Sequence, residues 1–378
     1  MSTGLYIHVP FCVKKCLYCD FTSYPFNPHD ARAYLKAVGL EMRLYGKLLT
    51  GEEREVSSLF IGGGTPTCLP AGELIDLIKD IGDVFKLLPG CEITVEANPG
   101  TIAREGLAQL AEVGVNRLSV GVQSFQDKLL KVLGRIHDAG TAYKAVQAAR
   151  EAGFENVNID LIFGIPGQTA GDWQETLRCA VQLSPEHIAV YGLQLEEGTP
   201  LERAVARGQL AACPEDLELS MYRTAIDFLP GHGYEHYEIS NFARPGKQSV
   251  HNLKYWLVFP YLGIGAGAHS CLRGRRFSNE TSLELYLDKV FRGEYPVKDW
   301  EVISERMAMA EFMFLGLRLL QGVDLGLFNR RFGKRAEAVY GSQIARLAAQ
   351  GLVEAGEGRL RLTRQGLPVA NRVFREFV

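Results

Sequence analysis

Eight cysteines occur in this chain of 378 residues, and Cys12, Cys16 and Cys19 fall within eight positions near its start. Thiolates spaced that closely can hold one soft metal centre together. Three is one short of the four ligands usual for an iron–sulfur cluster, which leaves one iron open to another group. A zinc site completed by His8 or Asp20 uses the same residue types, but structural zinc sites ordinarily pair two C-x-x-C knuckles, and no second knuckle follows. Three buried cysteines holding no metal are the plainest alternative.

Further candidates are spread along the chain. Gly62-Gly63-Gly64-Thr65-Pro66 lacks the Gly-Lys-Ser/Thr ending of a phosphate-binding loop. Its missing side chains let a ligand approach the backbone, although a plain turn uses the same residues. Glu96 offers a carboxylate that can accept hydrogen bonds from ribose hydroxyls, and Gln123, Arg135 and Asp160 add polar groups. Singly, each is a surface or capping residue; together they stand near strand ends. His251-Asn-Leu-Lys-Tyr255-Trp256 combines an imidazole, which can ligate iron, with rings that can wall a macrocycle. On spacing alone, His251 and Asn252 read as groups satisfying backbone at a loop-to-strand join. His269 is a further imidazole, ranked below His251. Gly263-x-Gly265-x-Gly267 lacks the βαβ setting of a dinucleotide fingerprint and is set aside.

These residues need a scaffold, and the patterning supplies one. Strand patterns at 5–9, 57–61, 92–97, 117–122, 157–163 and 187–193 alternate with helix patterns at 29–48, 71–85, 101–113, 127–133, 141–152 and 172–183. Six strand–helix units with runs buried on both faces predict a parallel α/β fold. Polar and glycine-rich residues follow every strand, which favours a barrel with one central mouth over a doubly wound sheet. The expected fold is a partial (β/α)6 barrel over 1–205, an extension over 206–300 and a small winged-helix-like domain over 301–378. The extension includes a helix at 214–229 and a strand at 257–262; the tail reads as helix, helix and a hairpin around Gly356-Glu-Gly358.

Composition narrows the function classes. Hydrophobic residues make up 47%, charged residues 22%, and the formal net charge is −3, so no general attraction to nucleic acid is expected. The tail carries ten basic against five acidic residues from Gln321 onwards, but no base-reading helix is evident. No apolar run approaches bilayer length, and the start leaves no room for a signal peptide. Cys68, Cys91, Cys179, Cys213 and Cys271 are scattered and read as isolated core residues, which predicts a cytoplasmic protein.

With an aromatic immediately before Cys19, the C-x3-C-x2-C spacing is identified as the signature of the radical S-adenosylmethionine (radical SAM) superfamily. That resemblance implies a 4Fe–4S cluster on Cys12, Cys16 and Cys19, its open iron taking the amino and carboxylate groups of S-adenosylmethionine. Tyr-Ile-His-Val-Pro-Phe-Cys, GGGTPT, Val-Gln-Ser-Phe and Ile-Asp-Leu-Ile-Phe-Gly-Ile-Pro-Gly-Gln-Thr, in this order, resemble the oxygen-independent coproporphyrinogen III oxidases. The resemblance places Tyr6, Gly63 and Glu96 against S-adenosylmethionine. It places Tyr18, Gly64, Thr65, Gln123, Arg135 and Asp160 in a second nucleotide or substrate pocket. Two departures point elsewhere: Phe21 stands where the oxidases have a fourth cysteine, and their N-terminal extension is not seen before the first strand pattern. Both features, with the HNxxYW stretch, resemble the HemW group of heme chaperones. This implies heme as cargo with His251 as its contact, acceptor hemoproteins as partners, and no nucleic acid. A homodimer, and peripheral membrane association when serving membrane hemoproteins, are compatible with it. The alternative is an enzyme that cleaves S-adenosylmethionine reductively and decarboxylates coproporphyrinogen III.

Overall fold

Residues along much of the expected strands alternate between an apolar and a polar face, most clearly over Arg117–Gln123, and this alternation shapes the architecture. The computed structural model describes residues 2–101 and 103–378. Strand β1 spans Thr3–Val9, β2 Glu55–Gly63, β3 Lys86–Ala97, β4 Arg117–Gln123, β5 Val157–Phe163 and β6 His187–Gly192, all parallel neighbours in that order. Leu5, Leu59 and Ile93 lie side by side, as do Val95, Leu118 and Val157. All six are buried, in one core with Tyr34, Val38 and Met42 of the Pro28–Leu48 helix and Leu74, Ile78 and Ile81 of the Ala71–Val84 helix. The opposite face carries Tyr6, Phe60 and Thr94 in one row and Glu96, Ser119, Asn158 and His187 in another. The sequence predicts runs buried on both faces, and both faces are indeed buried, but the inward one is lined by polar side chains. A period of two separates the faces, and the concave one encloses a polar interior instead of a second helical layer.

The sheet does not close on itself. Beyond β6 come the short strands β7, Glu235–Glu238, and β8, Asn241–Ala243; β8 pairs antiparallel with β6. On the other edge β9, Tyr261–Ile264, pairs in parallel with β1, and β10, His269–Leu272, β11, Arg275–Asn279, and β12, Val297–Val302, continue antiparallel. The result is a twelve-stranded sheet with a parallel barrel-like centre. The tail packs the Glu305–Gly316, Leu325–Phe332 and Ala336–Ala349 helices with a three-stranded antiparallel sheet, a winged-helix-like arrangement.

Two local expectations are corrected. Val250–Trp256 is a helix, not a loop-to-strand join, and the Ser249 side chain caps it by accepting from the Asn252 N–H. The strand expected at 257–262 begins only at Tyr261, because Leu257 caps that helix and Val258 turns the chain with φ +55°. The scattered cysteines also divide: Cys91 and Cys179 are buried, whereas Cys68, Cys213 and Cys271 are half-buried. Among the described residues, no helix is long and apolar enough to cross a membrane.

Candidate functional site

The cysteine loop is held at the carboxyl ends of the strands by backbone bonds on both sides. Thr65 N–H donates to Phe11 C=O at 2.7 Å, and Leu17 N–H to Leu133 C=O at 3.0 Å. Cys12, Cys16 and Cys19 line a small cavity of about 150 Å³, together with Tyr18, Gly63, Gly64, Thr65, Glu96, Gln123, Arg135 and Asp160. Tyr6 lies just outside it, on a neighbouring cavity that shares Gly63 and Glu96. Every candidate of the amino-terminal half except Tyr6 therefore lines one cavity, and Tyr6 lines the adjoining one.

Its chemistry suits anionic sulfur. Arg135 Nη1 donates to Cys16 Sγ at 3.3 Å, and Nη2 to Gly121 C=O at 2.5 Å. Its buried Nε has no partner among the described residues. Burial pushes the Cys12 and Cys19 thiols up, so protons leave these sulfurs most readily when a cation replaces them. Among the described residues no three His, Cys, Asp or Glu side chains converge tightly enough to share a single metal ion. In an iron–sulfur cubane each thiolate binds its own iron, so the three sulfurs need not meet at one point. Three thiols, a guanidinium at one of them and a spare buried donor fit a 4Fe–4S centre.

The backbone around the loop is shaped for close approach. Gly63 has φ +107°, and a Cβ there would stand 2.4 Å from the His8 ring. Gln123 carries a φ of +67° where the register of β4 against β5 slips, the kind of strained backbone that concentrates at binding sites. Glu96 Oε2 accepts from Gly63 N–H at 3.0 Å, and burial, with Asp160 nearby, raises its carboxyl to about 7. Asn158 Nδ2 donates to Asp160 Oδ1 at 2.8 Å. Burial raises Asp160 as well.

Below the mouth, a cavity of about 470 Å³ reaches residues that the motifs did not reveal: Arg117, Asn158 and His187. His187 Nδ1 meets Asn158 Oδ1 at 2.6 Å and Nε2 meets Tyr237 Oη at 2.8 Å, and burial lowers its pKa far enough to keep the ring neutral. The available signal was the alternation that sets Arg117 and Ser119 on β4 and Asn158 and Asp160 on β5 on one face, which reads equally well as a half-exposed strand.

His251 sits deep under the barrel. It is 1% exposed, with Nδ1 2.9 Å from Ser58 Oγ and Nε2 2.8 Å from Tyr255 Oη. Its backbone N–H donates to Glu92 Oε1 at 3.0 Å, and burial lowers the ring's pKa to about 3. As placed, either nitrogen must give up its hydrogen bond before it could reach iron. Trp256 lies under the Arg318 guanidinium at 4.1 Å. Tyr255 does reach a cavity, of about 710 Å³, and exposed His269 faces the same space.

Comparison with known proteins identifies the family and the fold. The family model described as the radical SAM superfamily matches residues 6–180, and that of the HemN C-terminal domain matches residues 303–369. The solved coproporphyrinogen III oxidase (HemN) from Escherichia coli, titled a radical SAM enzyme, superposes with a TM-score of 0.88 at 26% identity, covering 100% of this chain and 90% of its own. Sequence likeness is greater to proteins named heme chaperone HemW. That of Bacillus subtilis is 38% identical over 99% of this chain and 98% of its own length. That of Mycobacterium tuberculosis is 35% identical over 98% and 94%. The chain belongs to the HemW family of the radical SAM superfamily.

Proposed function

We propose that this protein is a cytoplasmic heme chaperone, binding heme and passing it to acceptor hemoproteins. The observation that carries the reading is the 38% identity to a heme chaperone across 99% of the chain, against 26% to the oxidase. Membership of the radical SAM superfamily implies a 4Fe–4S cluster and S-adenosylmethionine. We assign the cluster to Cys12, Cys16 and Cys19, and S-adenosylmethionine to the mouth lined by Tyr6, Tyr18, Gly63, Gly64, Thr65, Glu96, Gln123, Arg135 and Asp160. When bound, the cluster supplies an open iron able to hold the amino and carboxylate groups of that nucleoside. Around it, Arg135 stabilises the Cys16 thiolate, Gly63 admits the ligand to backbone, and Glu96 accepts from hydroxyls. Phe21, 61% exposed at the mouth, offers no thiolate where the oxidases have a fourth cysteine. The cluster and S-adenosylmethionine then act as structural or regulatory groups. The test is transfer: heme-loaded protein mixed with an apo-hemoprotein should give up its heme stoichiometrically, and retention of heme in the presence of the acceptor contradicts the reading.

The oxidase reading is favoured by one observation, the full-length superposition on coproporphyrinogen III oxidase. Steady decarboxylation of coproporphyrinogen III by the reconstituted protein is its signature.

A further inference from the structure

We propose that the cargo's seat is the cavity between β9–β11 and the Glu305–Gly316 helix, with His269 as the iron ligand. The inference rests on the heme-carrier reading and specifies where that cargo lies.

An iron ligand must present one unengaged ring nitrogen to the cavity and be held in place. Three imidazoles lie close to this space, and two are spent. His251 has both ring nitrogens hydrogen-bonded, to Ser58 and Tyr255. His8 has Nδ1 2.9 Å from Tyr6 Oη and Nε2 2.9 Å from Thr22 C=O. His269 is exposed on the cavity wall, and among the described residues its ring has no hydrogen-bond partner.

Its backbone, by contrast, is fixed. The turn before it packs directly onto the Pro28–Leu48 helix. Gly265 has φ +106°, and a Cβ there would come 2.2 Å from Tyr34 Oη. Tyr34 Oη accepts from Ala266 N–H at 3.0 Å and donates to His8 C=O at 2.6 Å. One residue after His269, Ser270 Oγ accepts from Gly263 N–H at 2.9 Å and ties β10 to β9. Alternation along β10 then turns His269 and Cys271 to the cavity and buries Ser270 and Leu272. A free imidazole on a pinned strand is a preorganised ligand.

The walls suit a flat macrocycle. Tyr255 and Tyr261 meet edge-on at 4.7 Å between ring centroids, and Phe259, Phe314 and Leu315 add apolar surface. Arg276, also on the wall, already carries Glu301 and Glu311, which leaves the propionates to face solvent. Tyr6 lies on this cavity, and Gly63, Glu96 and Phe21 line both it and the cysteine cavity, so the cargo would take the end walled by Tyr261, His269 and Phe314 and abut the S-adenosylmethionine site.

The test is spectroscopic. Full-length protein with the cluster reconstituted anaerobically is titrated with hemin, as wild type and as His269→Ala, Cys271→Ser and His251→Ala. His269→Ala should lose the imidazole-ligated Soret band and low-spin signal and bind on the order of tenfold more weakly, with added imidazole restoring the band. Cys271→Ser should keep the wild-type spectrum, and so should His251→Ala at temperatures where its melting curve shows it folded. Wild-type spectrum and affinity in His269→Ala overturn the seat while leaving the heme-carrier reading intact; so does loss of the band in Cys271→Ser or folded His251→Ala alone. No hemin uptake by wild type overturns the carrier reading, and the seat with it.

Discussion

Glu41 should cost this protein stability as the pH rises from acid to neutral, and Glu41→Gln should abolish that dependence. The carboxylate is wholly buried between the first helix and the β9–β11 wall. Oε2 accepts from Gly265 N–H at 2.9 Å and Tyr286 Oη at 2.6 Å, and Oε1 from Asn279 Nδ2 at 2.7 Å. Burial outweighs these three donors and raises the carboxyl from 4.5 to about 7. Below its ordinary value both folded and unfolded chains hold the proton, so nothing is lost. Between 4.5 and about 7 the unfolded chain releases it and the folded chain keeps it, so stability falls through this window and levels off above it. At about 1.4 kcal/mol per pH unit the gap amounts to roughly 3 kcal/mol. The nearby Tyr34, Tyr45 and Tyr286 are all raised above their ordinary range and stay protonated throughout. Glutamine places an N–H₂ among three donors, a mismatch of about 1–3 kcal/mol present at every pH. It therefore cancels when the two proteins are compared across pH. Equilibrium denaturation at about pH 5 and pH 8 should show the variant gaining roughly 2–3 kcal/mol on wild type between the two conditions. Parallel curves for the two proteins refute the reasoning.

Other substitutions probe the mouth and the floor. Arg135→Met removes the donor on Cys16 Sγ and should cut cluster retention by about tenfold, measured as iron and sulfide per chain. Gly63→Ala forces a Cβ to within 2.4 Å of the His8 ring at a positive φ. It should lower the melting temperature by the equivalent of about 1–3 kcal/mol and weaken S-adenosylmethionine binding in calorimetry. Ser58→Ala leaves His251 Nδ1 buried and unpaired, and should lower the unfolding free energy by about 1–3 kcal/mol with hemin uptake unchanged.

The mouth was legible because its parts are local. The cysteine spacing, the glycine run and Glu96 each sit at a strand end, and parallel strands bring those ends together wherever the exact boundaries fall. The interior network was not legible. Arg117, Asn158 and His187 differ from surface residues only through the curl of the sheet, which no single strand records. The two tight hairpins make the same point. Glu357-Gly358 and Arg273-Gly274 both have two positive φ values, as a two-residue hairpin turn requires. The first is legible because the apolar pairs Leu352-Val353 and Leu360-x-Leu362 flank a Gly-Glu-Gly turn. The second, between Leu272 and Arg275-Arg276, has no such pattern, and the β10–β12 wall that carries His269 was missed with it. His251 was singled out by residue type, but only the fold shows that its ring is spent on Ser58 and Tyr255.

The central claim is that this fold carries heme instead of oxidising a porphyrinogen. One preparation, reconstituted anaerobically with iron, sulfide and S-adenosylmethionine, decides it when divided between hemin and coproporphyrinogen III under reducing conditions. The account predicts saturable hemin uptake at one per chain and no more than a single turnover of decarboxylation; sustained release of carbon dioxide from coproporphyrinogen III contradicts it.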